Sequence, residues 1–363
     1  MRLGVEAALV RRELVPGDVE ILDGRISRVG LPSANGKGVA SPGFIDLQVN
    51  GFRGIDFHEA DAAGYRVAGD ALLATGVTAF LPTFITAPED QLVAALAEVP
   101  HDSERPRVLG AHLEGPFLAP KRLGTHPEAS RRDPDVALLE RLLDAGPVRL
   151  VTLAPELPGA DSLIALLHRR GVTVSCGHTD ANASEANQAF DLGVHTVTHL
   201  FNAMRPFSHR DPGIAGVALA REDVIVQVIL DGVHLAPDTA RLIWHTGRGR
   251  VALVTDSMAG AGNGDGSYSL GGLDVEIRDG VARRSDGVLA GSSLTMIEAV
   301  RNLHALGVPL ADALDAATAV PARVIGLPDT DGLVSDAPAD VVVLDDNLGI
   351  DRVLVGGELS AVA

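Results

Sequence analysis

The sequence predicts a (β/α)8 barrel that carries a small β-sandwich domain built from its own N- and C-terminal segments. Eight short apolar runs recur between Phe44 and Ser257, with helical stretches between several of them. Metal-capable side chains stand where five of those runs stop, and both ends of the chain alternate apolar and polar residues in short, turn-punctuated steps. Strands covered on both faces read as nearly continuous Val, Leu and Ile, and βα alternation of this kind closes into a barrel with its chemistry at the carboxyl ends of the strands.

Residues 1–41 form the first part of the small domain, because DVEILDGRISRVG sets an Asp23-Gly24 turn between two strand-like runs. The barrel then occupies 42–261. Its first strand, FIDLQVNG (44–51), has a period of two, so Asp46, Gln48 and Asn50 share one face. Further strands are expected at GVTAFLPTF (76–84), RVLGAHLEG (107–115), VRLVTLAPE (148–156), GVTVSCGHT (171–179), HTVTHLFN (195–202), VIVQVILDGVH (224–234) and RVALVTDS (250–257). Apolar residues at 3.6 spacing mark helices at 135–146 and 161–171. The helical rhythm fails over 262–289, where SLGGLDVEIRDGVARR reads as a hairpin turning at Asp279-Gly280, an insertion expected to join the small domain. Barrel helices resume at 290–334. Residues 335–363 return to the strand habit, with turns at 345–347 and 356–357, and complete the small domain, since neither end alone has enough strands to bury a face.

Composition narrows the function. The 363 residues are 46% apolar but only 3% aromatic, and a formal charge of -18 repels nucleic acid and anionic lipid, both of which are bound by clustered Lys and Arg. The partner expected is a small molecule. Cys176 is the single cysteine, which excludes an internal disulfide and fits a reducing compartment. No apolar run approaches the ~20 residues of a membrane span, and no signal segment opens the sequence, so the cytoplasm is expected.

The candidate site follows from position. Glu114, His178, His199, His234 and Asp256 each fall at the end of an apolar run, and in a barrel these ends converge. Any one of these histidines alone would read as a hydrogen-bonded structural residue. Together, Glu114, His178 and His199 supply one oxygen and two imidazole nitrogens, a set that suits one divalent metal per subunit, Zn²⁺ before Fe²⁺, with a position left for water. Asp256 is then available as a general acid/base, against the alternative of a helix N-cap in TDSM. His126 lies in the long loop after Glu114 and could donate to a carbonyl oxygen or simply be exposed. His112 reads as core or support. Arg205 and Arg210, after THLFNAM, could hold an anion or be ordinary surface arginines. Ser292 and Ser293 read as caps for the helix that follows, and 258–266 as a loop at the mouth.

The motifs PGFIDLQVNG, HLEGPFL with GTHPE, GHTDA, THLFNAM, DGVH, LVTDSMAGAG and LAGSSLTM, in that order, resemble those of the N-acetylglucosamine-6-phosphate deacetylases of the amidohydrolase superfamily. The resemblance runs from about Pro42 to Met296. It implies hydrolysis of an acetamide, with Glu114, His178 and His199 as metal ligands and Asp256 and His126 as catalytic groups. It further implies substrate contacts from Thr125, His126, Asn202, Ala203, Arg210, Asp231, Gly232, Val233, His234, Leu289, Ala290 and Gly291. It implies a homodimer, in which Arg210 reaches the neighbouring subunit's site. Many amidohydrolases hold a second metal with His-x-His at the end of the first barrel strand. Gln48 and Asn50 occupy those positions here, and neutral amides are poor ligands for Zn²⁺, so a single metal is expected with Gln48 orienting water. Another N-acyl sugar or a cyclic amide as substrate, and a non-catalytic sugar-phosphate sensor, are the competing readings.

Overall fold

The computed structural model describes residues 1–33, 36–101, 106–327 and 332–362. Eight parallel strands form the barrel: β1 (Phe44–Val49), β2 (Val77–Ile85), β3 (Ala111–Glu114), β4 (Val148–Leu153), β5 (Thr173–Cys176), β6 (Thr196–Val197), β7 (Ile225–Val228) and β8 (Val251–Leu253). They pair in chain order from β1 to β8. The ring closes where Val49 and Ser257 form a parallel bridge and the Asn50 N–H donates to the Ser257 carbonyl at 2.8 Å.

Several strands are shorter than their apolar runs. β6 keeps two residues and β7 stops at Val228, since the chain beyond each turns out of the sheet to carry polar groups over the mouth. The run at 107–115 divides into Arg107–Val108 and β3, parted at Gly110, whose φ of +118° suits glycine alone and where a Cβ would meet the Pro147 carbonyl at 2.5 Å.

Helices cover the barrel as their periodicity requires. Val136–Ala145 buries Leu138, Leu139, Leu142 and Leu143 and is capped by Asp135, whose carboxylate accepts from the Leu138 N–H at 3.1 Å. Ala160–Arg169 buries Leu163, Ile164, Leu166 and Leu167. At roughly 1.5–3 kcal/mol for each fully buried aliphatic side chain, such faces supply the stability that few aromatics are present to give.

The two ends of the chain interleave in one six-stranded sheet, in the order Glu13–Pro16, Ala7–Val10, Val39–Pro42, Val341–Leu344, Ile350–Val355, Glu358–Val362. The hairpin Asp18–Leu22/Arg25–Leu31 packs on it around Val5, Val19, Ile21, Ile26, Val341 and Leu354. Asp23 and Gly24 both have positive φ, 49° and 75°, the conformation of a tight two-residue hairpin turn.

Two expectations need correction. The insertion does not join the terminal sheet. Gly266–Leu270, Leu273–Arg278 and Val281–Arg283 form a three-stranded sheet of their own, whose apolar face (Leu270, Val275, Ile277) packs on Ile85 and Met258 at the barrel mouth. Asp56 pins it there, accepting from Gly271 N at 2.7 Å and Ser269 Oγ at 3.0 Å. Nor does Ser292 or Ser293 cap the helix Met296–Ala305. Thr295 does, in a capping box with Glu298. The Ser292 hydroxyl instead donates to the Thr255 carbonyl at 2.6 Å, tying the loop before that helix to the end of β8.

A buried carboxyl braces the seam. Asp46 on β1 accepts from Thr255 Oγ1 at 2.6 Å and from Thr255 N at 3.2 Å. Burial pushes its pKa up from 3.8 to about 7, against the hydrogen bonds that favour its charge. The folded protein therefore holds a proton that the unfolded chain releases across this window. The contribution of Asp46 to stability is fullest below about pH 4 and falls as pH rises towards 7, by up to a few kcal/mol. Asp46→Asn should flatten that slope, read as the difference in unfolding midpoint between wild type and variant from pH 5 to 8. Parallel curves would refute it.

Candidate active site

Glu114 is the last residue of β3, while His178 and His199 each lie two residues past the ends of β5 and β6. The backbone at His178, His199 and Asp256 adopts left-handed conformations, with φ of 46°, 29° and 50°. Each costs a non-glycine residue on the order of 1–3 kcal/mol, and each turns a side chain inward over the barrel axis at the point where the strand stops.

The result is a tight group. His199 Nε2 lies 2.8 Å from Glu114 Oε1, His178 Nε2 lies 3.2 Å from the same oxygen, and the two Nε2 atoms are 3.2 Å apart. All three side chains are buried. His178 Nδ1 donates to the Arg122 carbonyl at 2.8 Å, so in the neutral ring its Nε2 lone pair points at a carboxylate oxygen and another ring nitrogen. Those atoms repel unless a proton or a metal cation stands between them, and the donor set fits a divalent metal. Burial opposes charge on both partners of the His199–Glu114 contact, yet the pairing prevails. The surrounding imidazoles hold Glu114 well below the usual carboxylate range, and Glu114 lifts His199 above the ordinary histidine value.

Four further groups face this cluster. Asp256 Oδ1 accepts from Asn50 Nδ2 at 2.8 Å, and burial, reinforced by the Glu114 charge, raises its pKa to about 6. Its side chain is thus committed to the cavity and does not cap a helix. Gln48 Nε2 donates to Glu114 Oε1 at 3.2 Å, while the amide oxygens of Gln48 and Asn50 are buried with no protein partner among the described residues. His126 is not exposed. Thr86 N donates to its Nδ1 at 3.2 Å, which leaves the proton on Nε2, 3.5 Å from Glu114 Oε2, and burial together with the neighbouring His178 drives its pKa down to about 4. His126 is therefore a neutral donor. His112, two residues before Glu114, lies in the floor, with Nδ1 3.1 Å from the Leu47 carbonyl and Nε2 2.8 Å from Thr152 Oγ1, and burial lowers its pKa to about 4.

Asn50, Glu114, His126, His178, His199 and Asp256 line a cavity of about 240 Å³, with Gln48 and His112 packed behind its lining. Thr125, His126, Asn202, Ala203, His234, Leu289 and Gly291 reach it, with Ile85, Ile229, Leu270 and Val288 as apolar wall. Asp231 stands behind His234, its Oδ2 2.7 Å from His234 Nδ1. Gly232 and Val233 are exposed, and Ala290 is buried behind the lining. Arg210 is exposed and does not line the cavity, and Arg205 turns away to Asp211 and Asp180. A second cavity, of about 270 Å³, lies against the Arg107–Asp340 pair below the barrel and contains no metal-binding cluster among the described residues. The sequence did not reveal Thr86, which fixes the His126 tautomer from forty residues away, because nothing local marks it.

The profile of the amidohydrolase family matches residues 39–360. The chain belongs to the amidohydrolase family. Within it, the chain is similar to the Homo sapiens N-acetylglucosamine-6-phosphate deacetylase, 39% identical over 340 residues that span 88% of this chain and 83% of that one. It is also similar to the Escherichia coli O157:H7 N-acetylgalactosamine-6-phosphate deacetylase, at 34% identity over 88% of this chain and 87% of that one. An Asp-to-Ala mutant of the Mycobacterium smegmatis N-acetyl-D-glucosamine-6-phosphate deacetylase, solved in complex with N-acetyl-D-glucosamine-6-phosphate, superposes with a TM-score of 0.95 at 38% identity, covering 99% of each chain. In this amidohydrolase no described helix is long and apolar enough to cross a membrane.

Proposed function

We propose that the chain hydrolyses the acetamide of N-acetylglucosamine 6-phosphate to glucosamine 6-phosphate and acetate. The observation that carries this reading is one buried carboxylate oxygen, Glu114 Oε1, faced by the Nε2 atoms of His178 and His199, with Asp256 in the same cavity. A divalent ion bound by those three side chains would polarise a carbonyl oxygen and acidify water. The protein's own groups do the rest. Asp256, held by Asn50, takes a proton from the attacking water and delivers it to the departing amine. The His126 Nε2–H donates to the carbonyl oxygen as negative charge develops there. Gln48, anchored to Glu114, orients the water through its free amide oxygen. Thr125, Asn202, Ala203, His234, Leu289 and Gly291 position the sugar.

One metal per chain, most simply Zn²⁺, follows from the amides at 48 and 50, and the reading assigns the protein to the cytoplasm. A phosphate also calls for a cation, and among the described residues no Lys or Arg lines the cavity. Arg205 is occupied by carboxylates, whereas Arg210 is exposed and has no ion pair among the described residues. Arg210 of the partner subunit in a homodimer would complete the site. Acetate release from N-acetylglucosamine 6-phosphate should greatly exceed that from the unphosphorylated sugar or from N-acetylgalactosamine 6-phosphate. Preference for the galacto epimer would reassign the substrate, and equal turnover without phosphate would remove the anion contact.

A further inference from the structure

Asp180, in the GHTDA motif, touches none of the reacting groups described above, yet it joins the three loops that carry the metal-binding side chains. Arg122, in the loop after β3, donates from Nε and Nη2 to Asp180 Oδ1 at 2.9 and 2.7 Å. Arg205, in the loop after β6, places Nη1 3.5 Å from Asp180 Oδ2 and spends its Nε on Asp211 at 2.7 Å. Glu156, just past β4, fixes the segment between, accepting from Asp180 N at 2.6 Å and Thr179 Oγ1 at 2.5 Å. Main-chain bonds follow the same path: Ala119 N to His178 O at 2.9 Å, Thr179 N to Ala203 O at 3.1 Å, and Arg205 N to Thr179 O at 2.9 Å. The carbonyl of Arg122 is also the acceptor that sets the His178 tautomer.

We propose that Asp180 is a positioning residue for the metal centre, clamping Arg122 and Arg205 so that His178, His199 and His126 keep one geometry. The carboxylate is needed because its two oxygens serve guanidinium groups on separate loops, which a single amide oxygen cannot do. Magnitudes separate this role from plain stability. Asp180, Arg122 and Arg205 keep 20%, 27% and 37% of their side-chain surface exposed, and ion pairs that solvent still screens contribute little to folding. Removing a group that orients metal ligands, in contrast, typically costs about 10–100-fold in metal affinity.

The inference rests on the metal reading of Glu114, His178 and His199, and the test keeps the two apart. Zn²⁺ affinity is measured by chelator competition on the full-length wild type and on Asp180→Ala, Asp180→Asn, Arg122→Met and the double variant Asp180→Ala/Arg122→Met. Asp223→Ala, which breaks an exposed pair with Arg221 remote from the site, serves as control. Asp180→Ala and Arg122→Met should each weaken Zn²⁺ binding about 10–100-fold, with Asp180→Asn between them and wild type. The double variant should be no worse than the weaker single one, and kcat should recover substantially at saturating Zn²⁺. The metal-free melting temperature should move no further than in Asp223→Ala. Wild-type affinity in Asp180→Ala and Arg122→Met would overturn the proposal, as would additive losses or a metal-free protein destabilised in step with its lost affinity. Should Asp180→Ala fail to fold, Arg122→Met, which retains the carbonyl on His178, decides. Failure of the wild type to bind Zn²⁺ would instead overturn the metal reading.

Discussion

Asp256→Asn should retain metal and substrate binding and lose turnover by about 10²–10⁴-fold. The amide preserves the shape of the carboxylate and still accepts from Asn50 Nδ2, so the cavity wall at the end of β8 stays in place. What it cannot do is take a proton from water and return it to the amine. The loss therefore falls on kcat, with KM little changed, because the interaction removed is made only as the proton moves. Burial and the Glu114 charge bring the Asp256 carboxyl to about 6, near the range in which a group both accepts and releases a proton at neutral pH. Steady-state kinetics with metal analysis on the same sample check this. Near-normal kcat would remove Asp256 from the reaction, and loss of metal binding would make it a ligand.

Glu114→Gln should act at the other end of the chemistry, abolishing stable metal binding before any step begins. Its Oε1 is the atom that meets His178, His199 and Gln48 together, and the side chain is buried. A neutral amide removes the one carboxylate of the three-ligand set and leaves two imidazoles facing an oxygen of much weaker field. Wild-type protein should gain stability on adding Zn²⁺, by about 2.7 kcal/mol at a hundredfold excess over its dissociation constant. The variant should show no such rise in unfolding midpoint and no acetate release. A midpoint that still rises with Zn²⁺ as in the wild type would place the ion elsewhere.

Much of this site could be read before any coordinates, and the reason is physical. In a parallel barrel the ends of apolar runs converge, so a polar residue stopping such a run declares both its element and its destination, as Glu114, His178, His199 and Asp256 do. The alternation of FIDLQVNG likewise puts Gln48 and Asn50 on one face, and in the fold their amides meet Glu114 and Asp256. Groups placed by loops and distant partners were less legible. His126 looked as suited to solvent as to the cavity until Thr86 fixed its ring. Asp180 carries no local signal of the two arginines that it joins, because they arrive from different βα units. The insertion announced its strands but not its partner, since an apolar face on a hairpin does not say whether it will meet the terminal sheet or Ile85 at the mouth. Arg210 is expected to reach the neighbouring subunit's site, and within its own chain it lies outside the cavity.

The most direct test titrates metal-free protein with Zn²⁺ while following acetate release from N-acetylglucosamine 6-phosphate. Activity should start near zero, climb in proportion to added metal and level off at one ion per chain. Full activity without metal, or a plateau reached only at two ions per chain, would contradict a lone cation held by Glu114, His178 and His199.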